Sequence, residues 1–395
     1  MRFEILPWMA VVLVLANVAL ASTKSDKEEK LISAIEDLLE KLEKIEDRAS
    51  FLDESIRRVE YKTGRAKYSR ADPYFPCPNP VDIAPCICTV NEIEVYMDMD
   101  CSGIVSNEDL RRVFSSTMPF YRYRQLTIAG VQSSQFTTLD EFSFGPVGFE
   151  IVNITGTLLQ FIQDGTFAPS EEYLTALHLT KNKIKTFPFE SLKTLTALTT
   201  LDLSYNDLGI VQNLESSSLR TLNLGHNPSL EIGSQLILSM PALTRLYLQN
   251  GNLSSFDPGE LGPNGLTYIN LANNKITNLI KDSIASTNSW TTVHLDGNPL
   301  SNVDVNFLSE VHVNATIALV GTEIVEFDKD VWRAYLERLT YGKVDMTNNP
   351  LRCGCDIAWL YDAANLYTKL SDTSACSDGT LLSDIPPEAF PFHCP

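Results

Sequence analysis

The chain has 395 residues, of which 50 are acidic and 31 basic, so its formal net charge is −19. This balance disfavours a duplex nucleic-acid partner, because binding to the phosphate backbone requires a basic surface. Strong acidity also favours solubility.

The first 21 residues have the features of a secretory signal peptide. Arg2 precedes an apolar stretch from Ile5 to Ala16, and Ala19-Leu20-Ala21 forms a small-residue cleavage site. Asn17 interrupts the apolar stretch, which is shorter than the roughly 20 residues of a membrane-spanning helix. We therefore expect a secreted protein in the extracellular space, with no membrane span in its mature chain. An uncleaved membrane anchor is the alternative.

Residues 22–60 have the heptad pattern of a coiled-coil helix. Apolar residues recur at alternating intervals of four and three from Leu31 to Val59. Lys41 and Glu46, and likewise Arg48 and Asp53, hold flanking positions at which opposite charges meet between parallel helices. The pattern predicts a homo-oligomer through residues 31–59 and leaves dimer and trimer open. A single amphipathic helix that packs on its own domain is the alternative.

Residues 61–73 are predicted to be a basic, proline-containing linker between this helix and the first cysteine group. The basic residues extend from Arg57 to Arg70, with Glu60 as the one acidic residue among them. A solvated linker is the simplest interpretation of such a charge run. A polyanion-binding patch and a processing site are the alternatives.

The eight cysteines form two groups of four, the first within residues 74–122 and the second within residues 341–395. An even number of cysteines in an exported chain predicts two disulfides in each group, and the sequence alone allows three connectivities per group. A four-cysteine zinc site is the alternative. The Cys-x-Cys spacing in both groups is shorter than the gap that is usual for zinc ligands.

Residues 123–340 contain repeats of the template L-x-x-L-x-L-x-x-N-x-L. Ten copies begin 21 to 27 residues apart, close to the spacing of leucine-rich repeats. The starts are Tyr123, Phe149, Leu174, Leu198, Leu219, Leu243, Leu266, Trp290, Asn314 and Tyr341. The pattern predicts an α/β repeat solenoid, a leucine-rich-repeat horseshoe with parallel strands on its concave face.

The template also predicts which side chains are buried. Leucines at the fourth and sixth positions point inward, and the asparagine at the ninth position binds backbone groups where the chain turns from the strand. Val131, Thr157, Gly251 and Thr322 replace this asparagine, so we expect looser turns in their copies. A solenoid exposes its apolar interior at both ends. We therefore expect a disulfide-bonded N-terminal cap over residues 74–122, and the last repeat with a C-terminal cap over residues 341–395.

Three segments resemble known extracellular leucine-rich-repeat proteins. The run PCPNPVDIAPCIC resembles their N-terminal cap, and NNPLRCGCDIAWL, followed by Cys376 and Cys394, resembles their C-terminal cap. Together with FPFESLKTLTALTTLDLSYNDL, these segments resemble the family of the non-catalytic subunit of oplophorus-luciferin 2-monooxygenase over residues 74 to 395.

The resemblance implies that the chain is not an enzyme and needs no cofactor, because luciferase activity in that family belongs to a different subunit. It also implies four disulfides, which are Cys77 with Cys88, Cys86 with Cys101, Cys353 with Cys376, and Cys355 with Cys394.

The strand residues on either side of the inward leucines should line one exposed face. Because neighbouring strands lie about 4.8 Å apart, Arg245, Tyr247 and Tyr268 should cluster near its middle. Tyrosine and arginine are enriched among residues that dominate protein interfaces. We expect a protein or matrix ligand to contact this concave face, whose candidate residues are His178, Asp202, Arg245, Tyr247, Tyr268 and His294. An ordinary polar sheet surface is the alternative.

Asn153, Asn252 and Asn314 begin glycosylation sequons in a chain that is expected to be exported. Asn153 holds the fifth position of its copy, so a sugar there would cover the N-terminal part of the face. Asn252 is the sequon that we expect to be best placed for modification.

Two chemical sites are alternatives to a binding function. His178, Asp202 and Ser204 loosely imitate a hydrolytic triad, but the chain has no G-x-S-x-G signature. Residues 98–109 imitate a calcium loop, but their twelfth residue is Asp109 instead of glutamate and the preceding segment alternates like a strand. His294 and Asp296 provide two metal ligands, which do not make a site. We therefore expect no catalytic residue and no bound metal.

Overall fold

The computed structural model describes residues 75–91, 96–233, 235–362, 365–390 and 394. The predicted signal peptide, coiled-coil helix and linker, residues 1–73, lie outside the described residues. Among the described residues, one compact unit contains 75–78, 89–91, 96–97 and 118–120, and the other contains the rest. In the first unit the rings of Phe75 and Phe120 lie 5.7 Å apart.

The described part of the chain begins with the elements of the N-terminal cap. Helix α1 (Pro80–Ile83) begins after Asn79, whose side chain accepts a hydrogen bond from the Val81 N–H. Strands β1 (Ile87–Asn91) and β2 (Tyr96–Asp100) follow, so the described residues on either side of 92–95 in the alternating segment before the calcium-like loop are extended. Helix α2 (Asn107–Phe114) is fixed by a capping box, in which Ser106 and Asp109 each bind the other's backbone N–H.

A twelve-stranded sheet is the main element of the fold, and its strands from β2 onward are parallel. Ten of its strands match the ten predicted copies one to one, which confirms the leucine-rich-repeat fold. In order along the sheet they are β3 (Arg122–Ala129), β5 (Gly148–Thr155), β7 (Ala176–His178), β8 (Thr200–Asp202), β11 (Thr221–Asn223), β14 (Arg245–Tyr247), β15 (Tyr268–Asn270), β17 (Trp290–His294), β19 (Val311–Ala318) and β20 (Lys343–Asp345).

Short elements form the other side of the repeats. Four two-stranded sheets pair β4 (Thr138–Leu139) with β6 (Phe161–Ile162), β9 (Ile210–Val211) with β12 (Glu231–Ile232), β10 (Leu214–Glu215) with β13 (Ile237–Ser239), and β16 (Asn278–Leu279) with β18 (Asn302–Val303). Helix α3 (Lys329–Arg338) buries Trp332 and Leu336. The remaining turns are 3-10 helices at Ala168–Ser170, Phe189–Lys193, Cys355–Tyr361, Leu366–Lys369, Leu382–Asp384 and Pro387–Ala389.

The apolar side chains at the fourth and sixth template positions form the core. Each is completely buried, and burial of such a side chain stabilises the fold by about 1.5 to 3 kcal/mol. In the copies from Leu174 onward they are Leu177, Leu179, Leu201, Leu203, Leu222, Leu224, Leu246, Leu248, Ile269, Leu271, Val293, Leu295, Ile317, Leu319, Val344 and Met346. The template therefore predicted the inward-facing positions correctly.

The ninth-position asparagines connect neighbouring copies. The Asn206 amide group donates to the carbonyl oxygens of Leu179, 2.8 Å away, and Leu203, 2.9 Å away. Its side-chain oxygen accepts from the Ile184 N–H at 3.0 Å. Asn227, Asn274 and Asn298 make the same contacts with the copies before them. Each of these asparagines thus completes the turn of the preceding copy.

The turns at Thr157, Gly251 and Thr322 lack their own asparagine but are also held by hydrogen bonds, so the expectation of looser turns was wrong there. For the turn at Val131 it stays a prediction. The Asn274 side-chain oxygen accepts from the N–H groups of both Gly251, at 2.9 Å, and Leu253, at 3.1 Å. Asn182 binds the backbone and hydroxyl of Thr157, and Asn349 binds the hydroxyl of Thr322. In these three copies the asparagine of the following copy therefore also binds the residue that stands in place of the missing asparagine.

The residue before the ninth position has a left-handed backbone in every copy, with φ between 54° and 70°. Glycine and asparagine, which tolerate this conformation best, hold most of these positions. Lys181, Tyr205 and His226 hold it in three consecutive copies.

The C-terminal cap contains two disulfides, Cys353–Cys376 and Cys355–Cys394, and the N-terminal cap contains Cys86–Cys101. These are three of the four pairs that the family resemblance implies, and Cys77 and Cys88 are also disulfide-bonded. The rings of Phe327, Trp332 and Trp359 stack beside the C-terminal cap, with centroid distances of 5.1 and 5.8 Å. None of the helices in the described part of the chain has the length and apolar character that crossing a bilayer requires.

Candidate binding face

The six predicted contact residues lie on one face of the large sheet. His178, Asp202, Tyr247 and His294 hold the fifth position of their strands, in continuous register through Asn223 and Asn270. Arg245 and Tyr268 hold the third position and are register partners. We call this surface, at the third, fifth and seventh positions from β7 to β17, the sheet face. Arg245 is exposed, and the other five side chains are half-buried.

Four of these side chains come together near the middle of the sheet face. The rings of Tyr247 and Tyr268 lie 4.8 Å apart, and the rings of Tyr268 and His294 lie 5.8 Å apart. Arg245 is on the strand beside Tyr268. We call Arg245, Tyr247, Tyr268 and His294 the face cluster. It offers aromatic surface and one cation, the combination that is enriched in interface hot spots.

The environment of the face cluster keeps Tyr268 neutral. Burial raises the pKa of the Tyr268 phenol above its usual value, and the neighbouring Tyr247 raises it further. Contact with Asn270 and the charge of Arg245 oppose this shift in the Tyr268 pKa. At physiological pH, Tyr268 is therefore a neutral hydroxyl that donates and accepts hydrogen bonds.

His294 is held in a fixed orientation by Asp296, two residues along the same strand face. The His294 Nδ1 lies 3.2 Å from one Asp296 oxygen, and the other oxygen accepts from the Val320 N–H at 2.9 Å. Among the described residues, no three His, Cys, Asp or Glu side chains are grouped so that they could hold a metal ion. The pair positions an imidazole at the edge of the face cluster.

His178 and Asp202 are neighbours in register but do not belong to the face cluster. Two strand steps separate Asp202 from Tyr247, which is roughly 10 Å. The Asp202 carboxylate accepts from the Ser204 N–H at 2.9 Å. Asn223 and Asn270 make the same local contact in their own copies, which indicates a structural role for this position. The triad-like set is therefore part of a repeating backbone motif.

The carboxylates of the calcium-like loop also have partners within the fold. Asp98 forms an ion pair with Arg124, and Asp100 accepts from the Ser102 N–H at 2.9 Å. Asp109 caps helix α2. These contacts explain the acidic residues without a bound cation.

A ring stack at the C-terminal ends of the strands was missed by the sequence analysis. The rings of Tyr205 and His226 lie 3.9 Å apart and 8° from parallel. The Lys181 ammonium lies 5.8 Å from the centre of the Tyr205 ring. Burial lowers the pKa of His226 below its usual value. The sequence did contain a signal for this stack, because Lys181, Tyr205 and His226 hold the eighth template position of three consecutive copies.

The three sequons differ in accessibility. Asn252 and Asn314 are exposed, and Asn252 lies in a left-handed turn with φ of 64°. Asn153 is half-buried on β5, in register with His178 on the sheet face. The face cluster lies several strands away from it.

Comparison with known proteins agrees with this fold. A family model for the leucine rich repeat matches residues 149–208 and 241–300. Over 323 residues the chain is 31% identical to the Oplophorus-luciferin 2-monooxygenase non-catalytic subunit of Oplophorus gracilirostris. This match covers 80% of this chain and 88% of that protein. It is 27% identical over 164 residues to lumican of Gallus gallus, covering 40% of this chain and 46% of lumican.

Solved structures with a similar chain trace have lower identity. Human 5T4, also called trophoblast glycoprotein, is 22% identical with a TM-score of 0.43, covering 55% of this chain and 88% of that one. The TLR13 chain in its complex with ssRNA13 is 19% identical with a TM-score of 0.48, covering 71% of this chain and 45% of that one.

Proposed function

Because the chain belongs to the leucine-rich-repeat family of the Oplophorus-luciferin 2-monooxygenase non-catalytic subunit, we propose that it is a secreted scaffold that binds a protein or matrix ligand on its sheet face. The name of this relative describes a subunit without catalytic activity, in agreement with the expectation that the chain is not an enzyme. The observation that carries the proposal is the face cluster.

The face cluster has the physical properties of a binding hot spot. Its two tyrosines are half-buried and packed on each other, so they lose little side-chain freedom when a ligand covers them. Arg245 adds a cation with several hydrogen-bond donors. Truncation of such a residue commonly weakens an interface by about 2 kcal/mol or more.

Three parts of this proposal concern processing and assembly. The signal peptide at residues 1–21 would export the chain, and Asn153, Asn252 and Asn314 would be its glycosylation sites. A sugar on Asn153, on the strand next to the sheet face, would cover the N-terminal part of that face and direct a ligand toward the middle and C-terminal copies. The heptads at residues 31–59 would join several chains, so that several sheet faces act together and gain avidity.

A second function is favoured by the long match to the Oplophorus protein, which spans 88% of that subunit. In this alternative the chain would stabilise the enzyme subunit of a secreted complex. Recovery of a stoichiometric enzyme with the native protein would support it. A homo-oligomer that binds its ligand without an enzyme would support the scaffold.

The decisive experiment compares two double variants of the secreted protein in a binding assay with extracellular material from the source tissue. Arg245→Ala/Tyr268→Ala removes half of the face cluster, and Thr221→Ala/Thr292→Ala is the matched control at the same template position. Two hot-spot losses predict that binding of the captured ligand weakens by more than about 100-fold, whereas the control stays near wild type. Equal binding by both variants would refute the face cluster as the contact site.

Assembly is tested separately by light scattering on the full mature chain and on a chain that begins near Tyr74. A dimer or trimer that becomes a monomer on truncation supports the proposed oligomer. Monomers in both samples would contradict it and favour the subunit alternative.

A further inference from the structure

Three lysines of one copy form an exposed row outside the sheet face. From Lys181 to Lys185 the side chains alternate, so that Lys181, Lys183 and Lys185 are exposed while Asn182 and Ile184 are buried. We call these three residues the lysine row. Lys181 lies in the left-handed turn of its copy, and Lys183 and Lys185 follow directly after it, so the row places three cations close together along the outside of the repeat.

The lysine row has no carboxylate partner in the described part of the chain, where eight other basic side chains form ion pairs. Within the row, the Lys181 ammonium lies 5.8 Å from the centre of the Tyr205 ring. Three like charges this close together repel one another. In a chain with 50 acidic residues, this repulsion is left uncompensated in the free protein and would be relieved by a bound anion.

The positions equivalent to the lysine row in the two flanking copies carry little negative charge. The residues at the same template positions of the two flanking copies are Gly156, Leu158, Gln160, Tyr205, Asp207 and Gly209. Asp207 is the one carboxylate among these six. At physiological salt, electrostatic interactions are screened beyond about 8 Å. The row can therefore attract an anion although the whole chain has a net charge of −19.

The shape of the row selects the kind of anion. A broad acidic protein surface would extend beyond the row onto other parts of a chain that has 50 acidic residues, and would be repelled by them. A thin linear polymer touches the row alone. A lysine side chain is flexible and ends in a compact charge, so three lysines can each bind one of the sulfate groups spaced along a polymer. The row contains no arginine, the residue that binds a carboxylate through two parallel hydrogen bonds.

We propose that Lys181, Lys183 and Lys185 form a binding site for a sulfated polysaccharide. The polymer lies along the exposed edge of the copy that begins at Leu174, and its sulfates are bound by the lysine ammonium groups. This site is separate from the face cluster, so the scaffold holds a protein ligand and a matrix polysaccharide on different surfaces.

The test uses the full mature chain and heparin as the probe. Lys181→Gln/Lys183→Gln/Lys185→Gln removes the row, and Lys275→Gln/Lys281→Gln/Lys329→Gln removes the same charge from three exposed, scattered positions. Residues 57–70 carry further basic side chains in both variants, so the comparison isolates the row. We expect the row variant to bind heparin about tenfold more weakly than wild type, and the control within about twofold.

Two further measurements decide the nature of the site. Asp207→Asn should strengthen heparin binding, because it removes the carboxylate beside the row. Desulfated heparin and polyglutamate should bind much more weakly than heparin. Equal weakening in the two triple variants, or polyglutamate binding as strong as heparin binding, would overturn the proposal. Circular dichroism spectra that match wild type show that both triple variants are folded.

Discussion

Asn274→Ala should destabilise the repeat array more than the same change at a neighbouring copy. The Asn274 amide group donates to the carbonyls of Leu248, at 3.0 Å, and Leu271, at 2.8 Å, and its oxygen accepts from Gly251 and Leu253. The amide group also donates to the Ala272 carbonyl at 3.4 Å, so alanine removes five hydrogen bonds. At about 1 kcal/mol each, the free energy of unfolding should fall by about 5 kcal/mol.

Asn298→Ala is the matched control, because Asn298 is equally buried in the same template position but serves a copy that has its own asparagine. It makes four of these bonds, to Leu271, Leu295, Asp296 and Ile276, so its loss should cost about 4 kcal/mol. Denaturant unfolding measures both values. The difference of about 1 kcal/mol isolates the extra bond from the Gly251 N–H.

Hydrogen exchange provides a local measurement for the same pair of variants. In Asn274→Ala the amides of Gly251 and Leu253 should exchange much faster than in wild type, because they lose their acceptor. In Asn298→Ala the faster amide should be that of Ile276. Unchanged protection of Gly251 in Asn274→Ala, or equal destabilisation by both variants, would refute the idea that one asparagine completes the turn of the copy before it.

Three other predictions follow from burial and covalent links. Leu246→Ala should lower the free energy of unfolding by about 2 to 5 kcal/mol, because Leu246 is completely buried, whereas Leu238→Ala, at a 45% exposed site, should change it by less than about 0.5 kcal/mol in the same denaturant assay. Replacing both Cys353 and Cys376 by serine should cost about 2 to 5 kcal/mol, and a melting temperature equal to wild type would contradict this. Burial raises the pKa values of Tyr173, Tyr335 and Tyr361 to about 12. Burial of these neutral phenols therefore contributes fully to the free energy of unfolding below pH about 10, and this contribution is lost as the pH rises toward about 12. Titration of phenolate absorbance would contradict this if every tyrosine ionised near pH 10.

The apolar pattern of the template was sufficient to predict the strands and the core. Fourth and sixth positions alternate with polar residues, and this alternation determines which side chains point inward. Arg245, Tyr247 and Tyr268 were predicted to cluster for the same reason, because parallel strands in register place equivalent positions side by side.

Contacts that depend on the following copy were not visible in the template. The turn at Gly251 looks incomplete when its copy is considered alone, and only the position of Asn274 in three dimensions shows that it is closed. The stack of Tyr205 and His226 was missed because the eighth position has no fixed residue type. Both residues have a left-handed backbone with φ of 58°, and their rings lie side by side in consecutive copies.

The asparagine contacts give the array a direction. The copy that begins at Leu198 closes its turn with Asn227, and the copy that begins at Leu243 closes its turn with Asn274, which in both cases lies further along the chain. A ribosome releases the N-terminal copies first. During synthesis, each such turn can therefore complete its hydrogen bonds only after the asparagine of the next copy has been made.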